Sequence, residues 1–272
     1  MHLVNFTFDG ITLSDFGCII ASIVTSNNDS ISLGSDLSFE TIRNTSTFSD
    51  KLVAINYDNP EPIKFDICKN PCGENMNFTD AEISYLMKWL NKKAYKKFRP
   101  IYDDGSYSDI YFNGYFNVSA IYIGSNVVGF TLTFIQDSPF GYDTEKELNI
   151  NISRANDMFT FYNNSDEEGY LYPSLFQVAC ASDGNLIITD NLDARNIVRV
   201  NNCVYGEIIT FDCVNKVIQS NKSHPTLPND FNYNFPRFIS NESNSENIIT
   251  VSLPCDISFK YSFIRKAGII VW

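Results

Sequence analysis

Apolar and polar residues alternate with a period of two through most of this chain, the spacing of half-buried β-strands. Val4, Phe6 and Phe8 share one face of an N-terminal run, and Ile63, Phe65 and Ile67 share another. Residues 110–118 and 129–135 are longer runs of the same kind. Turn residues separate these runs: Asp9-Gly10, Asp58-Asn59-Pro60, Asp103-Asp104-Gly105 and Gly124-Ser125-Asn126. The last reads as a three-residue turn that joins strands over 118–123 and 127–135 into a hairpin.

One segment has a different period. Thr79-Asp80-Ala81-Glu82 spells a capping box, in which the Thr79 hydroxyl and the Glu82 carboxylate satisfy each other's backbone N–H groups. Ile83, Leu86, Met87 and Leu90 follow at helical spacing, predicting one helix over about 79–94. Met87 and Trp89 are read as packing residues of that helix.

Ser138-Pro139-Phe140-Gly141 interrupts the pattern, and a domain boundary is expected near residue 145. Beyond it no helix is expected. Short strands are predicted over 158–162, 175–181, 186–189, 197–200, 207–213, 216–220, 248–253 and 257–263, a spacing that suggests a β-sandwich. The fold class is therefore mainly β: a β-sheet domain with one helix over 1–145 and a β-sandwich over 146–272. Residues 221–234, with Pro225 and Pro228, form a long polar loop expected to be mobile or to contact a partner.

Composition agrees. Aromatics make up 14% of the 272 residues, with 22 Phe and 15 Tyr, and such side chains favour pleated surfaces. The formal net charge is −12, which disfavours nucleic acid and anionic lipid as partners. Residues 88–99 are a basic exception, read as a solvated helix end; contact with an acidic protein surface stays open. No apolar run is long enough to span a membrane as a helix. The N-terminus lacks a basic flank and already carries Asp9, so no secretory leader is expected and the chain is read as made in a cytoplasm.

Catalytic chemistry finds little support. The two histidines, His2 and His224, have no nucleophile motif beside them. The paired acids Asp103-Asp104 and the run Asp166-Glu167-Glu168 lie in turn contexts. The seven cysteines are irregularly spaced, and Cys68 and Cys72 lack two further zinc ligands, so they are read as reduced core thiols. No catalytic residue, metal or cofactor is expected. Exposed tyrosines leave a carbohydrate-binding alternative, for which Tyr162, Tyr170 and Tyr172 are the candidate contact residues.

The order of features along the whole chain is more informative. Phe6-x-Phe8-x-Gly10 leads to Ser14-Asp15-Phe16-Gly17 and then to Phe39-x-x-x-Arg43. A strand ending Phe65-Asp66-Ile67-Cys68-Lys69-Asn70 precedes the capped helix with Trp89-Leu90-Asn91. The first half closes on Gly129-Phe130-Thr131-Leu132-Thr133-Phe134 and Asp137-Ser138-Pro139-Phe140-Gly141. The second half carries Tyr172-Pro173-Ser174-Leu175-Phe176-Gln177-Val178 and Gly206-Glu207-Ile208-Ile209-Thr210-Phe211-Asp212. This order resembles the distal tail protein (Dit) family of long-tailed bacteriophages that infect Gram-positive bacteria. One departure is that the family's late Trp-x-x-Phe is replaced by Phe235-Pro236-Arg237-Phe238.

The resemblance implies a hexameric ring built from the N-terminal domain and a galectin-like β-sandwich for the C-terminal domain. It implies the short form, without an inserted carbohydrate-binding module. It further implies a structural, non-enzymatic hub at the virion's tail tip, assembled in the host cytoplasm. The expected partners are copies of itself, the tail tube protein, the tail-associated lysin or hub protein and receptor-binding proteins. The polar stretch 26–51, poor in core residues, is expected to supply an arm to the neighbouring subunit.

Overall fold

A computed structural model describes residues 2–21, 37–44, 49–57, 62–72, 76–241 and 243–268. The chain divides into two compact units, one ending at Tyr142 and one spanning Asp143–Ile264, and the described residues from Arg265 to Gly268 rejoin the first. Much of the segment 26–51 lies outside the described residues.

The first unit opens with β1 (Leu3–Phe8), β2 (Ile11–Thr12) and β3 (Cys18–Ala21). Next come β4 (Leu37–Asn44), β5 (Ser49–Tyr57) and β6 (Ile63–Lys69). The helix α1 (Asp80–Leu90) follows, then β7 (Lys96–Tyr102), β8 (Ile110–Ile123) and β9 (Asn126–Gln136). Antiparallel pairing runs β2-β1-β7-β8-β9-β6-β3, while β4 and β5 pair only with each other among the described residues.

Side chains that alternate inward from these strands fill the core. Phe6, Phe8, Phe98, Phe112 and Phe134 are fully buried, and α1 covers them with Leu86, Trp89 and Leu90. Trp89 stacks on Phe6 and Phe16 at centroid distances of 5.6 and 4.4 Å. Thr79 caps α1 as its sequence prescribes, with the Glu82 N–H donating to the Thr79 hydroxyl and the Thr79 N–H to the Glu82 carboxylate.

Three expectations are corrected here. The helix ends at Leu90 rather than near residue 94, because the last apolar contact of its face is Leu90 and the chain then turns into β7. The runs 110–118 and 118–123 are one continuous strand. The hairpin turn has two residues, Gly124 and Ser125, because Ile123 and Asn126 pair directly; Gly124 supplies the positive φ such a turn needs.

The short strand β10 (Gly141–Asp143) lies where the chain passes into the second unit. That unit contains β11 (Lys146–Ile152), β12 (Asp157–Tyr162), β13 (Gly169–Leu171) and β14 (Leu175–Cys180). It continues with β15 (Gly184–Asp190), β16 (Val198–Cys203), β17 (Ile208–Asp212) and β18 (Val217–Ser220). A single helical turn, α2 (Leu227–Asp230), precedes β19 (Phe238–Ser240), β20 (Glu246–Val251) and β21 (Cys255–Tyr261). The strand β22 (Ile264–Arg265) leads the chain out again.

Two antiparallel sheets, β11-β21-β14-β17-β18 and β12-β20-β15-β16, enclose a core with Phe161, Phe176, Phe211, Ile249 and Phe259 at its centre. This is a β-sandwich. All eight strands expected in this half are present. The segment 221–234 is not a free polar loop: it carries α2, and Leu227 and Phe231 anchor it in the core.

Candidate interaction surfaces

The most unusual surface of the first unit is the ribbon made by β4 and β5. Register places Leu37 opposite Tyr57, and Phe39 opposite Ile55. Alternation puts these four side chains on one face, with Leu52 and Val53 at the bulge that follows. Phe39 is 58% exposed and Ile55 52%, although both sit at positions that a packed sheet would bury. The opposite face is more polar, with Asn56 donating to Glu40 at 2.9 Å. The ribbon is tied at its base by Tyr57, whose ring meets Phe140 edge to face at 4.8 Å.

The basic segment is only partly a solvated helix end. Lys92 and Lys96 both reach Asp9, at 3.4 and 3.0 Å, and hold its carboxyl below the usual carboxylate range. The Lys97 ammonium sits 4.5 Å above the Tyr111 ring. The two pairs to Asp9 bind β7 and the segment just after α1 to the β1 turn.

The three candidate tyrosines fall into two places. Tyr162 on β12 donates its hydroxyl to Glu246 on the neighbouring β20 at 2.9 Å. Tyr170 and Tyr172 lie together, with centroids 6.4 Å apart. The Arg237 guanidinium stacks 4.0 Å from the Tyr170 ring and donates to Asp193 at 2.7 Å. The Lys216 ammonium lies 3.7 Å from the Tyr172 ring. One face of each of these two rings is thus engaged by a cation.

His224 is part of a buried cluster that the sequence did not reveal. Its Nδ1 lies 2.8 Å from Glu207 and its Nε2 3.1 Å from Asp230. Burial opposes the charged imidazole, but its hydrogen bonds to the two carboxylates outweigh it and raise the His224 pKa. Glu207 is lowered: burial opposes this, and hydrogen bonds from Ser220, His224 and the Val204 N–H overcome it. These bonds tie His224 and, through Asp230, the α2 turn to Glu207, which immediately precedes β17.

Asp103 accepts from the His2 N–H at 2.8 Å, and Asp104 from the Ser106 N–H at 3.0 Å. The Asp166 N–H donates to the Ile264 carbonyl. Burial pushes the Asp190 carboxyl up to about 6. Cys68 is buried as expected of a core thiol, but Cys72 is exposed and is not one, and no cluster suited to a metal occurs among the described residues. Burial also pushes the Cys213 and Cys255 thiols up to about 12, far from nucleophilic range.

Comparison with known proteins places this architecture. A model described as "Phage tail protein N-terminal domain" matches residues 1–138. A second, "Phage tail C-terminal domain", matches 140–261. No curated protein matches. The Dit protein (gp 19.1) of phage SPP1, described as a paradigm of the hub adsorption apparatus in phages infecting Gram-positive bacteria, superposes with a TM-score of 0.61. Its identity is 12%, covering 96% of this chain and 99% of that one. A chain of the phage P2 baseplate in its activated conformation with Ca gives a TM-score of 0.54 at 8% identity, covering 98% and 99%. A chain of the same baseplate with Sr gives 0.53 at 7%, covering 94% and 97%.

Proposed function

The chain belongs to the phage tail protein family whose N- and C-terminal domain models it matches, and from that premise we propose that it is the ring-forming hub of a phage tail tip. In this reading six copies close into a ring through the first unit. The ring joins the tail tube protein to the tail-associated lysin or hub protein, and the β-sandwich offers attachment to receptor-binding proteins. The role is structural, not enzymatic, and the protein is built into the virion in the host cytoplasm.

The observation that carries this reading is the β4–β5 ribbon. A two-stranded hairpin standing alone is marginally stable in water, yet this one presents Leu37, Phe39, Leu52, Val53 and Ile55 to solvent. Covering them with a second copy of the chain removes that apolar surface from water at about 25 cal/mol per Å². An arm given by each subunit to the next is a head-to-tail contact, the type that closes into a ring. The overall fold supports the same reading, because it extends over nearly the full length of the SPP1 Dit chain.

The test is deletion of residues 37–57 with a short Gly-Ser replacement. A folded monomer is expected, seen as retained thermal unfolding with the mass of one chain. A ring that survives the deletion overturns the assignment of the arm.

A further inference from the structure

The outer face of the five-stranded sheet in the second unit carries an ordered row of side chains. Register pairs Asn149 with Ser258, Ser258 with Gln177, Gln177 with Thr210, and Thr210 with Gln219. Each of the five strands therefore contributes one neutral amide or hydroxyl to a single line across the sheet. The alternate positions Ile150, Ile257, Phe176, Val178, Ile209 and Phe211 turn inward to the core. Asn151 and Asp256 stand opposite each other in the next row and are bonded at 2.6 Å.

Asn149, Ser258 and Gln177 of this line, with Asn151 and Asp256 of the next row, border an open groove of about 390 Å³ together with Ala179 and Ile208, within the size range of small-ligand clefts; Thr210 and Gln219 extend the polar line beyond it. Gln177 donates to Thr210 at 3.2 Å, and Ser258 to Glu147 in the adjacent row at 3.2 Å. That leaves the Asn149 amide, the Gln177 carbonyl oxygen and the second Asp256 oxygen able to bond a ligand.

We propose that this groove binds a neutral oligosaccharide chain. A line of mixed donors and acceptors matches the hydroxyls of successive sugars, and neighbouring strands repeat at about 4.8 Å, close to the length of one sugar ring. The lining contains no Lys or Arg, and Asp256 adds negative charge, so an anionic polymer is disfavoured. It also lacks the Trp, Tyr, Met and Arg that enrich the centres of protein interfaces. Recognition through amides and hydroxyls, without ring stacking, gives weak binding with Kd on the order of 0.1–1 mM. The site is distinct from Tyr170 and Tyr172, and the proposal does not depend on ring formation.

The experiment is saturation-transfer NMR and calorimetry on the full chain. The probes are neutral tetrasaccharides of glucose, galactose, rhamnose and N-acetylglucosamine, with poly(glycerol phosphate) as the anionic control. At least one neutral saccharide is expected to bind. Gln177→Ala and Asn149→Ala, both surface changes checked for unaltered melting, should each weaken it by about fivefold or more. Tyr170→Ala should leave it unchanged. The proposal is overturned if no neutral saccharide binds at about 10 mM, well above the expected Kd. Preference for poly(glycerol phosphate), or binding that survives both groove variants or depends on Tyr170 instead, overturns it equally.

Discussion

The indole N–H of Trp89 donates to the carbonyl oxygen of Phe8 at 2.8 Å, joining residues 81 positions apart. Phe8 is the last residue of β1, where the strand passes into its turn, and Trp89 is buried in the last turn of α1. This bond, with the Phe6 and Phe16 rings stacked on the indole, seats the only long helix among the described residues on its sheet. Trp89→Phe keeps an aromatic ring but leaves a buried carbonyl without its donor. The expected cost is about 2–3 kcal/mol, from the lost bond and the smaller ring. Urea unfolding followed by circular dichroism measures it, and an unchanged midpoint would show that the helix is seated by other contacts.

Gly114 is fixed by space rather than by an unusual backbone angle. A Cβ added there would lie 2.3 Å from the Ile135 carbonyl oxygen and 2.6 Å from the Phe134 ring. Both neighbours belong to the centre of the sheet and cannot move freely. Gly114→Ala should therefore destabilise the first unit by about 1–3 kcal/mol. A melting temperature equal to that of the parent chain would show that β8 and β9 separate at low cost.

The His224 cluster sets a pH window for the second unit. His224 is raised above its ordinary 6.5, so its stabilising contribution is complete below that value and is lost as pH rises through the folded-state pKa. Glu207 and Asp230 are lowered from 4.5 and 3.8, so theirs is present above those values and is lost as pH falls. The three act together between about pH 4.5 and 6.5. His224→Ala should cost more stability at pH 5.5 than at pH 8.5, read by urea unfolding at both. An equal cost at the two values would mean that the charge on the imidazole contributes nothing.

Phe39→Asp and Ile55→Asp place charges on the apolar face of the ribbon. Neither side chain is in a core, so the monomer should keep its melting temperature within about 0.5 kcal/mol in stability terms. Association should weaken by orders of magnitude, because each variant buries an unpaired carboxylate in the contact. Sedimentation velocity across a concentration series separates these effects, and rings as tight as the parent's would exclude this face from the interface.

Strands were legible in the sequence wherever alternation was long enough to sample several inward positions. That is why the eight strands from residue 157 to 261 could be placed, while the three-residue strands β13 and β19 could not. Lys146–Ile152 does alternate, but it begins at the expected domain boundary near residue 145, where no preceding strand marks its start. The β4–β5 ribbon read as a stretch poor in core residues because its apolar side chains face solvent instead of a core. His224 looked like a loop residue because Glu207, its nearest partner, is 17 positions away on another strand. The polar row was invisible for the same reason: Asn149 and Ser258 meet only through register, and outward polar residues carry no signal of their own.

The ring is the central claim, and the mass of the intact chain in solution tests it most directly. Native mass spectrometry of the full-length protein at micromolar concentration should show a closed hexamer, alone or on mixing with a tail partner. A chain that stays strictly monomeric under all of these conditions would contradict it.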